Sequence, residues 1–290
     1  MTDPSFHHVP VLADTLIDAL QISDRGYYLD CTVGGGGHSE RILLAAQDVR
    51  LVAIDQDAIA LQAAQTRLAH FGNQVEFWHG NFSTYQPSEL GQFDGMIADL
   101  GVSSAQLDRP ERGFSFRESG DLDMRMDRRQ ALTAADIVNT YAEKTLADIF
   151  FTLGEERLSR RIARNIVEQR PFQTTTQLAD AIARCVPGSY RHGRIHPATR
   201  VFQALRIEVN QELKVLETWL QRSVDWLKPN GKIAVISFHS LEDRIVKQTF
   251  RQDERLQIIT KKPLIATDEE IRQNPRSRSA KLRLAERVKI

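Results

Sequence analysis

The chain is poor in the features that staple small proteins or anchor membrane proteins. It has two cysteines in 290 residues, Cys31 and Cys185, and their spacing makes neither a disulfide framework nor a metal-ligand pattern. The simplest expectation is a reduced, cytoplasmic protein. No apolar run approaches the ~18 residues of a membrane span, so no membrane partner is expected. The opening Met1-Thr2-Asp3-Pro4-Ser5-Phe6-His7-His8 lacks the basic and apolar segments of a secretion signal. Excess charge is also missing, since 38 basic residues balance 38 acidic ones. Repeats and low-complexity tracts are absent. What is present, 41% hydrophobic and 26% charged residues, excludes a disordered or fibrous protein. At ~150 residues per domain, the length suggests about two domains.

The charge balance conceals a gradient. Residues 1–100 carry 4 basic and 13 acidic residues, residues 155–214 carry 11 and 6, and residues 244–290 carry 13 and 6. Positive potential gathered in the later segments points to a polyanionic partner. A solvated surface is the plainer alternative.

The first hundred residues alternate strand and helix patterns. Tyr27–Cys31, Leu51–Asp55, Val75–Trp78 and Phe93–Leu100 read as strands. His38–Gln47 and Ala58–His70 read as the helices between them, the second with Leu61, Ala64 and Leu68 on one face. Apolar strands alternating with helices predict a parallel sheet covered on both faces. From 105 to 227 only helices and loops are expected, including Thr145–Thr152, Glu156–Gln169 and Thr175–Cys185. One long helix is expected from His196-Pro197 through Leu220. Pro229-Asn230-Gly231 reads as a turn, Lys232–Phe238 as a strand and Leu241–Phe250 as a helix. Leu256–Thr260 and Ala280–Val288 are expected to close the sheet as an antiparallel pair. The expected organisation is therefore an α/β domain, 1–104 with 228–290, interrupted by a helical domain at 105–227.

Gly34-Gly35-Gly36-Gly37 follows a strand and opens a helix, where backbone approaches a ligand closely. Asp55 ends the next strand, 21 residues after Gly34, where a carboxylate meets the ribose of a bound nucleoside. The G-x-G-x-x-G pattern of dinucleotide sites is broken, because Ser39 or Glu40 stands at its third glycine. Asp99-Leu100-Gly101-Val102-Ser103-Ser104 and Ser237-Phe238-His239-Ser240 lie at the carboxyl ends of their strands, the edge at which open parallel sheets bind ligands. Ser240 with Asp243 also resembles a helix-capping pair, and His239 has a core-histidine alternative.

These strings, with others along the chain, resemble the bacterial 16S ribosomal RNA (cytosine-N4)-methyltransferase family, RsmH or MraW. The matching stretches are His8–Leu12, Asp30–Ser39, Ala53–Asp57, Asp99–Ser104 with Gln106-Leu107, Arg112–Phe116 and Asp121-Leu122-Asp123-Met124-Arg125-Met126-Asp127. They continue with His196–Arg200, Ser237-Phe238-His239-Ser240-Leu241-Glu242-Asp243-Arg244 and Ser277–Arg283. The resemblance implies a class I S-adenosylmethionine-dependent methyltransferase: a Rossmann-like, mostly parallel seven-stranded sheet with an inserted all-helical domain. It implies methyl transfer to N4 of a cytidine in the decoding region of 16S rRNA, within the small ribosomal subunit. For the cofactor it implies contacts from Gly35, Gly36, Gly37, His38, Asp55, Phe82, Asp99 and Gln106. At Gly35 the family often carries a larger residue. Asp99 and His239 are the candidate catalytic residues, and no metal is expected.

For the RNA, Arg157, Arg160, Arg161 and Arg164 fall on one helical face, and Arg191 and Arg194 lie in a neighbouring loop. His192 and His196 are spaced like a metal pair, but Gly193 and Pro197 oppose one continuous helix there. Two other functions share some of these signals: a nicotinamide-dependent oxidoreductase, disfavoured by the missing third glycine, and a non-catalytic RNA-binding assembly factor, disfavoured by the intact cofactor residues. The oligomeric state, a homodimer included, is open at this level.

Overall fold

The structure is a computed structural model and describes residues 10–289, apart from the Ser104 side chain. The family string at His8–Leu12 thus begins outside the described residues. The elements in order are α1 (Ala13–Leu20), β1 (Tyr27–Asp30), α2 (Gly37–Leu44), β2 (Arg50–Asp55), α3 (Ala58–Leu68), β3 (Val75–His79) and β4 (Phe93–Asp99). A helical stretch follows: α4 (Ser104–Leu107), α5 (Ala134–Thr140), α6 (Glu143–Thr152), α7 (Ser159–Gln169), α8 (Thr175–Cys185), α9 (Gly188–Arg191), α10 (Ala198–Asn210) and α11 (Glu212–Ser223). The chain closes with β5 (Leu227–Ser237), α12 (Ser240–Gln252), β6 (Leu256–Ile258), α13 (Asp268–Gln273) and β7 (Lys281–Arg287). The described residues divide into two compact units, 10–101 with 213–289, and 102–212.

Unit 1 is a seven-stranded sheet of order β3-β2-β1-β4-β5-β7-β6. β1 to β5 run parallel, while β7 is antiparallel to both β5 and β6. This is the seven-stranded, mostly parallel sheet expected from the resemblance. Alternate residues of each strand go to opposite faces. Leu29, Val52, Met96 and Val235 pack with Trp219 and Leu220 of α11 and with Val246 and Phe250 of α12. Tyr28, Leu51, Ala53, Ile97 and Ile236 pack with Leu16, Ile42 and Leu61 of α1, α2 and α3. Two covered faces are why these strands read as continuous apolar runs.

Unit 2 is helical, and its one β-type pairing among the described residues is an isolated bridge between Asp121 and Thr174. Its core gathers Ile137, Phe150, Ile162, Ile166, Leu178, Ile182 and Leu205. Capping boxes start α5 (Thr133 with Asp136) and α8 (Thr174 with Gln177). Two family strings brace each other here. The Met124 amide donates to the Arg112 carbonyl at 3.0 Å, and buried Arg112 returns a bond to the Arg125 carbonyl at 2.9 Å. Gly113 sits at φ 75°, and a Cβ there would lie 2.3 Å from the Asp121 carbonyl oxygen.

Three expectations need correction. The long helix from His196-Pro197 to Leu220 is two helices, because Gln211 turns left-handed at φ 50°. Asn210 explains the break: its side chain donates to the Met124 carbonyl and accepts from the Met126 amide, both at 2.8 Å. The division between units falls at 101/102 and 212/213, where the sequence suggested 104/105 and 227/228, since α11 carries Trp219 and Leu220 into the sheet's core. Pro229-Asn230-Gly231 lies inside β5 as an irregularity, where pairing with β4 slips between Phe93 and Gly95, and Asn230 takes φ 67°.

Candidate active site

The carboxyl ends of β1, β2 and β4 each carry an aspartate: Asp30, Asp55 and Asp99. The glycine turn passes between them. Gly34 and Gly36 take φ 52° and 80°, conformations that L side chains resist, whereas a Cβ on Gly35 would meet nothing within 4 Å. That open space leaves room for a larger side chain at Gly35. Asp55 ties the turn to β2: Oδ2 accepts the Gly34 amide at 2.9 Å and Oδ1 the Asp57 amide at 2.8 Å. Burial nonetheless pushes its carboxyl up to about 6, the two amide bonds offsetting only part of the cost.

Asp30 is buried, accepting from the Ser39 hydroxyl at 2.6 Å and the Thr32 amide at 3.0 Å. Burial pushes it up to about 6 as well. The Thr32 hydroxyl accepts the Asp99 amide at 2.6 Å, so one segment, Asp30–Thr32, joins the ends of β1 and β4. Asp99 is held well above the usual carboxylate range, first by burial and then by the charges of Asp30 and Glu242. Its Oδ1 is buried without a hydrogen-bond partner, and its Oδ2 lies 3.7 Å from His38 Nδ1. His38 Nε2 donates to the Val11 carbonyl at 2.9 Å. Three carboxylates thus face one sheet edge, with the His38 imidazole 3.7 Å from one of them. Such an edge suits a ligand bearing positive charge and a ribose. S-adenosylmethionine has both, with its sulfonium, its ammonium and its diol, and the orphaned Asp99 oxygen is a ready acceptor.

At the end of β5, Ser237 is buried and Phe238 half-buried. The Phe238 ring lies against Gly101, close enough that a Cβ on that glycine would sit 3.4 Å from it. The capping residue of α12 is His239, a correction to the Ser240–Asp243 pair expected from sequence. His239 Nδ1 accepts the Glu242 amide at 3.4 Å. Glu242 Oε2 accepts the Phe238 and His239 amides at 2.9 and 3.3 Å. His239 Nε2 is buried without a hydrogen-bond partner; Glu242 Oε1 lies 3.2 Å away but outside bonding geometry. Phe82 follows β3 and packs edge-on against Trp219, ring centroids 5.6 Å apart. Gln106 belongs to unit 2, where its Oε1 accepts the Ser103 amide at 3.0 Å. The strand ends therefore bring together the glycine turn, His38, Asp55 and Asp99, while Gln106 is placed in the other unit. Asp30, Thr32 and Glu242 were not singled out from sequence. Each lay inside a quoted string, but nothing local separated it from its neighbours.

Of the six candidate RNA-contacting arginines, Arg160, Arg161 and Arg164 share the solvent face of α7, opposite buried Ile162 and Ile166. They line a shallow hollow with Asn165, Glu168 and Cys185. Arg164 also lies 3.6 Å from Glu143. Arg157 precedes the helix, because α7 begins at Ser159; it is exposed but is not part of the helical stripe. Beneath this turn, buried Glu156 accepts the Tyr190 hydroxyl at 2.7 and 2.8 Å and the Leu158 amide at 2.7 Å. Arg191 donates to the Arg184 carbonyl at 3.2 Å, and Arg194 is exposed. Among the described residues no helix is long and apolar enough to cross a membrane.

A family profile described as the MraW methylase family matches residues 5–288. Ribosomal RNA small subunit methyltransferase H of Acaryochloris marina (strain MBIC 11017) is 60% identical over 290 residues, covering 99% of this chain and 97% of that protein. The proteins of the same name from Nostoc sp. (strain PCC 7120 / SAG 25.82 / UTEX 2576) and Synechocystis sp. (strain ATCC 27184 / PCC 6803 / Kazusa) are 62% and 59% identical. They align over 286 and 288 residues, covering 98% of this chain and 94% of each protein. Sheet order, glycine turn and a profile match along almost the whole sequence agree: the chain belongs to the MraW methylase family.

Proposed function

We propose that this protein methylates the N4 amine of a cytidine in the decoding region of 16S rRNA, acting on RNA within the small ribosomal subunit. The observation that carries the reading is the buried, unpartnered Oδ1 of Asp99 at the carboxylate edge. It is joined by the ~60% identity to proteins named as small subunit rRNA methyltransferases. The methyl donor is S-adenosylmethionine, which supplies a methyl group already activated on a sulfonium. Gly35, Gly36 and Gly37 would offer backbone, Asp55 would accept from the ribose, and Phe82, His38 and Gln106 complete the set that the family resemblance assigns.

The protein's own task concerns the amine. Its lone pair is delocalised into the cytosine ring and is a poor nucleophile. Asp99 Oδ1 accepts an N4–H bond, which favours a localised lone pair and stabilises the positive charge growing on nitrogen. Burial first, and then the neighbouring Asp30 and Glu242, make ionised Asp99 costly, and a cationic cofactor offsets part of that cost. Phe238 stacks the extruded base. Glu242, through the two backbone amides it accepts, positions Phe238 and His239. The arginines of unit 2, Arg157, Arg160, Arg161, Arg164, Arg191 and Arg194, contact phosphates and orient the RNA. The test is transfer of a labelled methyl group to 30S subunits that lack the modification, followed by nucleoside analysis. Label in N4-methylcytidine is the expected result. Label in another nucleoside, or none, overturns the proposal.

A further inference from the structure

Apart from the strand-end site, unit 1 has a second concave feature. A cavity of about 280 Å³ is bordered by Lys247, Arg251, Lys261 and Arg283, with Phe250 and Ile258 as apolar wall. It lies where α12 meets the β7–β6 edge of the sheet. Parts of two family strings that the catalytic reading does not use meet here. Asp243 accepts from Arg283 Nε at 2.6 Å and lies 3.4 Å from Lys281 Nζ. Asp243 is thereby engaged by two strand cations. Among the described residues, Lys247, Arg251 and Lys261 have no carboxylate within ion-pair distance.

Three uncompensated cations around one hollow repel each other and suit an anion. Charge along unit 1 points the same way. β1 to β4 belong to the segment with 4 basic and 13 acidic residues, and β6 and β7 to the segment with 13 and 6. Because β3 and β6 are the two edges of the sheet, the unit is electrically polarised across its width. Lysine is depleted from protein–protein interface cores, whereas Lys and Arg dominate contacts to phosphate. The volume is below the usual range for small-molecule pockets, which suits one backbone unit. At 1.5 Å per residue, Lys247 lies ~12 Å along the α12 axis from His239. An RNA strand with its base at the end of β5 therefore reaches this corner within a short stretch.

We infer that the α12–β6–β7 corner of unit 1 is an RNA backbone site, in which Lys247, Arg251 and Lys261 hold a phosphate and Phe250 and Ile258 face the adjoining ribose. The inference rests on the rRNA reading above and adds to the unit 2 arginines a contact surface within the sheet-bearing unit. The test uses the full chain carrying Lys247→Gln, Arg251→Gln and Lys261→Gln together. Its binding to a decoding-region fragment of 16S rRNA is measured against salt, with S-adenosylmethionine titration confirming an intact fold. Each lost phosphate contact lowers the log–log salt slope by about 0.7–0.9, so the triple variant, which loses the one phosphate of this site, should lose about that much, with a raised KM for RNA. A wild-type slope overturns the site. So does a variant that binds the fragment normally but fails only on assembled subunits, which would make the corner a ribosomal-protein contact. Wild-type protein that binds the fragment yet transfers no methyl group to 30S subunits overturns the functional reading instead, and the slope comparison still decides the site.

Discussion

The carboxylate edge makes the free protein's stability and its cofactor affinity respond to pH with opposite signs. Asp55 is pushed by burial from an ordinary 3.8 to about 6. Between those values the folded state holds a proton that the unfolded state has released, so stability falls as pH rises through the window and levels off above it. From pH 5 to pH 7.5 the loss due to Asp55 is about 1.4 kcal/mol, one pKa unit's worth. Asp30, also at about 6, adds a similar ~1.4 kcal/mol. In protein without cofactor these two groups should together cost about 3 kcal/mol across this range, Asp99 adds a further loss of the same sign, and Asp55→Asn should lose about 1.4 kcal/mol less than wild type. Trp78, Trp219 and Trp226 all belong to unit 1, so urea unfolding followed by tryptophan fluorescence reports the relevant unit. Cofactor binding runs the other way. A ribose bonded to Asp55 favours the ionised carboxylate, so S-adenosylmethionine should bind about tenfold more tightly at pH 7.5 than at pH 5 through this group, measured by calorimetry. Asp55→Asn should lose that pH dependence and weaken binding at pH 7.5 by about ten- to a hundredfold. Equal stability slopes in wild type and variant, or equal pH dependence of binding, would refute the reasoning.

Three further outcomes follow from the same geometry. Gly34→Ala or Gly36→Ala should lower unit 1 stability by about 1–2 kcal/mol because of their positive φ, while Gly35→Ala should change the urea midpoint little. His239→Ala should cost turnover and about 1 kcal/mol of capping, whereas His239→Asn keeps the cap; normal single-turnover rates in His239→Asn would remove the imidazole from the chemistry. Replacing Arg160 and Arg161 with Gln should lower the RNA salt slope by about 1.4–1.8, and an unchanged slope would leave the α7 stripe a solvated face.

The strands and the glycine turn were legible because their signals are local: apolar runs such as Leu51–Ile54 ending in an acid, and a glycine cluster at a strand's end. Phe82 and Gln106 came only from the family resemblance. In the structure Phe82 is core-packed and Gln106 lies in unit 2. The break at Gln211 was not legible, since the apolar steps from Leu205 through Val209 to Leu213 continue without pause. What stops the helix is Asn210 bonding to backbone more than eighty residues away. The start of α12 was read one residue late because serine is a common capping residue, and histidine took that place with Glu242 completing the box. Asp30 looked like any strand-terminal acid. Only burial beside Ser39 and the bridge to β4 through Thr32 mark it as part of the edge.

The place of unit 2 in the chain has a consequence for folding order. β4 and β5 are hydrogen-bonded neighbours, and Ile97 pairs with Ala234 only after the chain has traversed all of unit 2. Loop-closure entropy rises with the logarithm of loop length, so each halving of the effective loop lowers the cost by ~0.6 kcal/mol. A collapsed unit 2 shortens that loop, and its core closes on itself without help from β5. On the ribosome that makes this protein, unit 2 emerges before β5 exists. The helices should therefore consolidate first, and the right half of the sheet, β5, β7 and β6, should be the last part to lock.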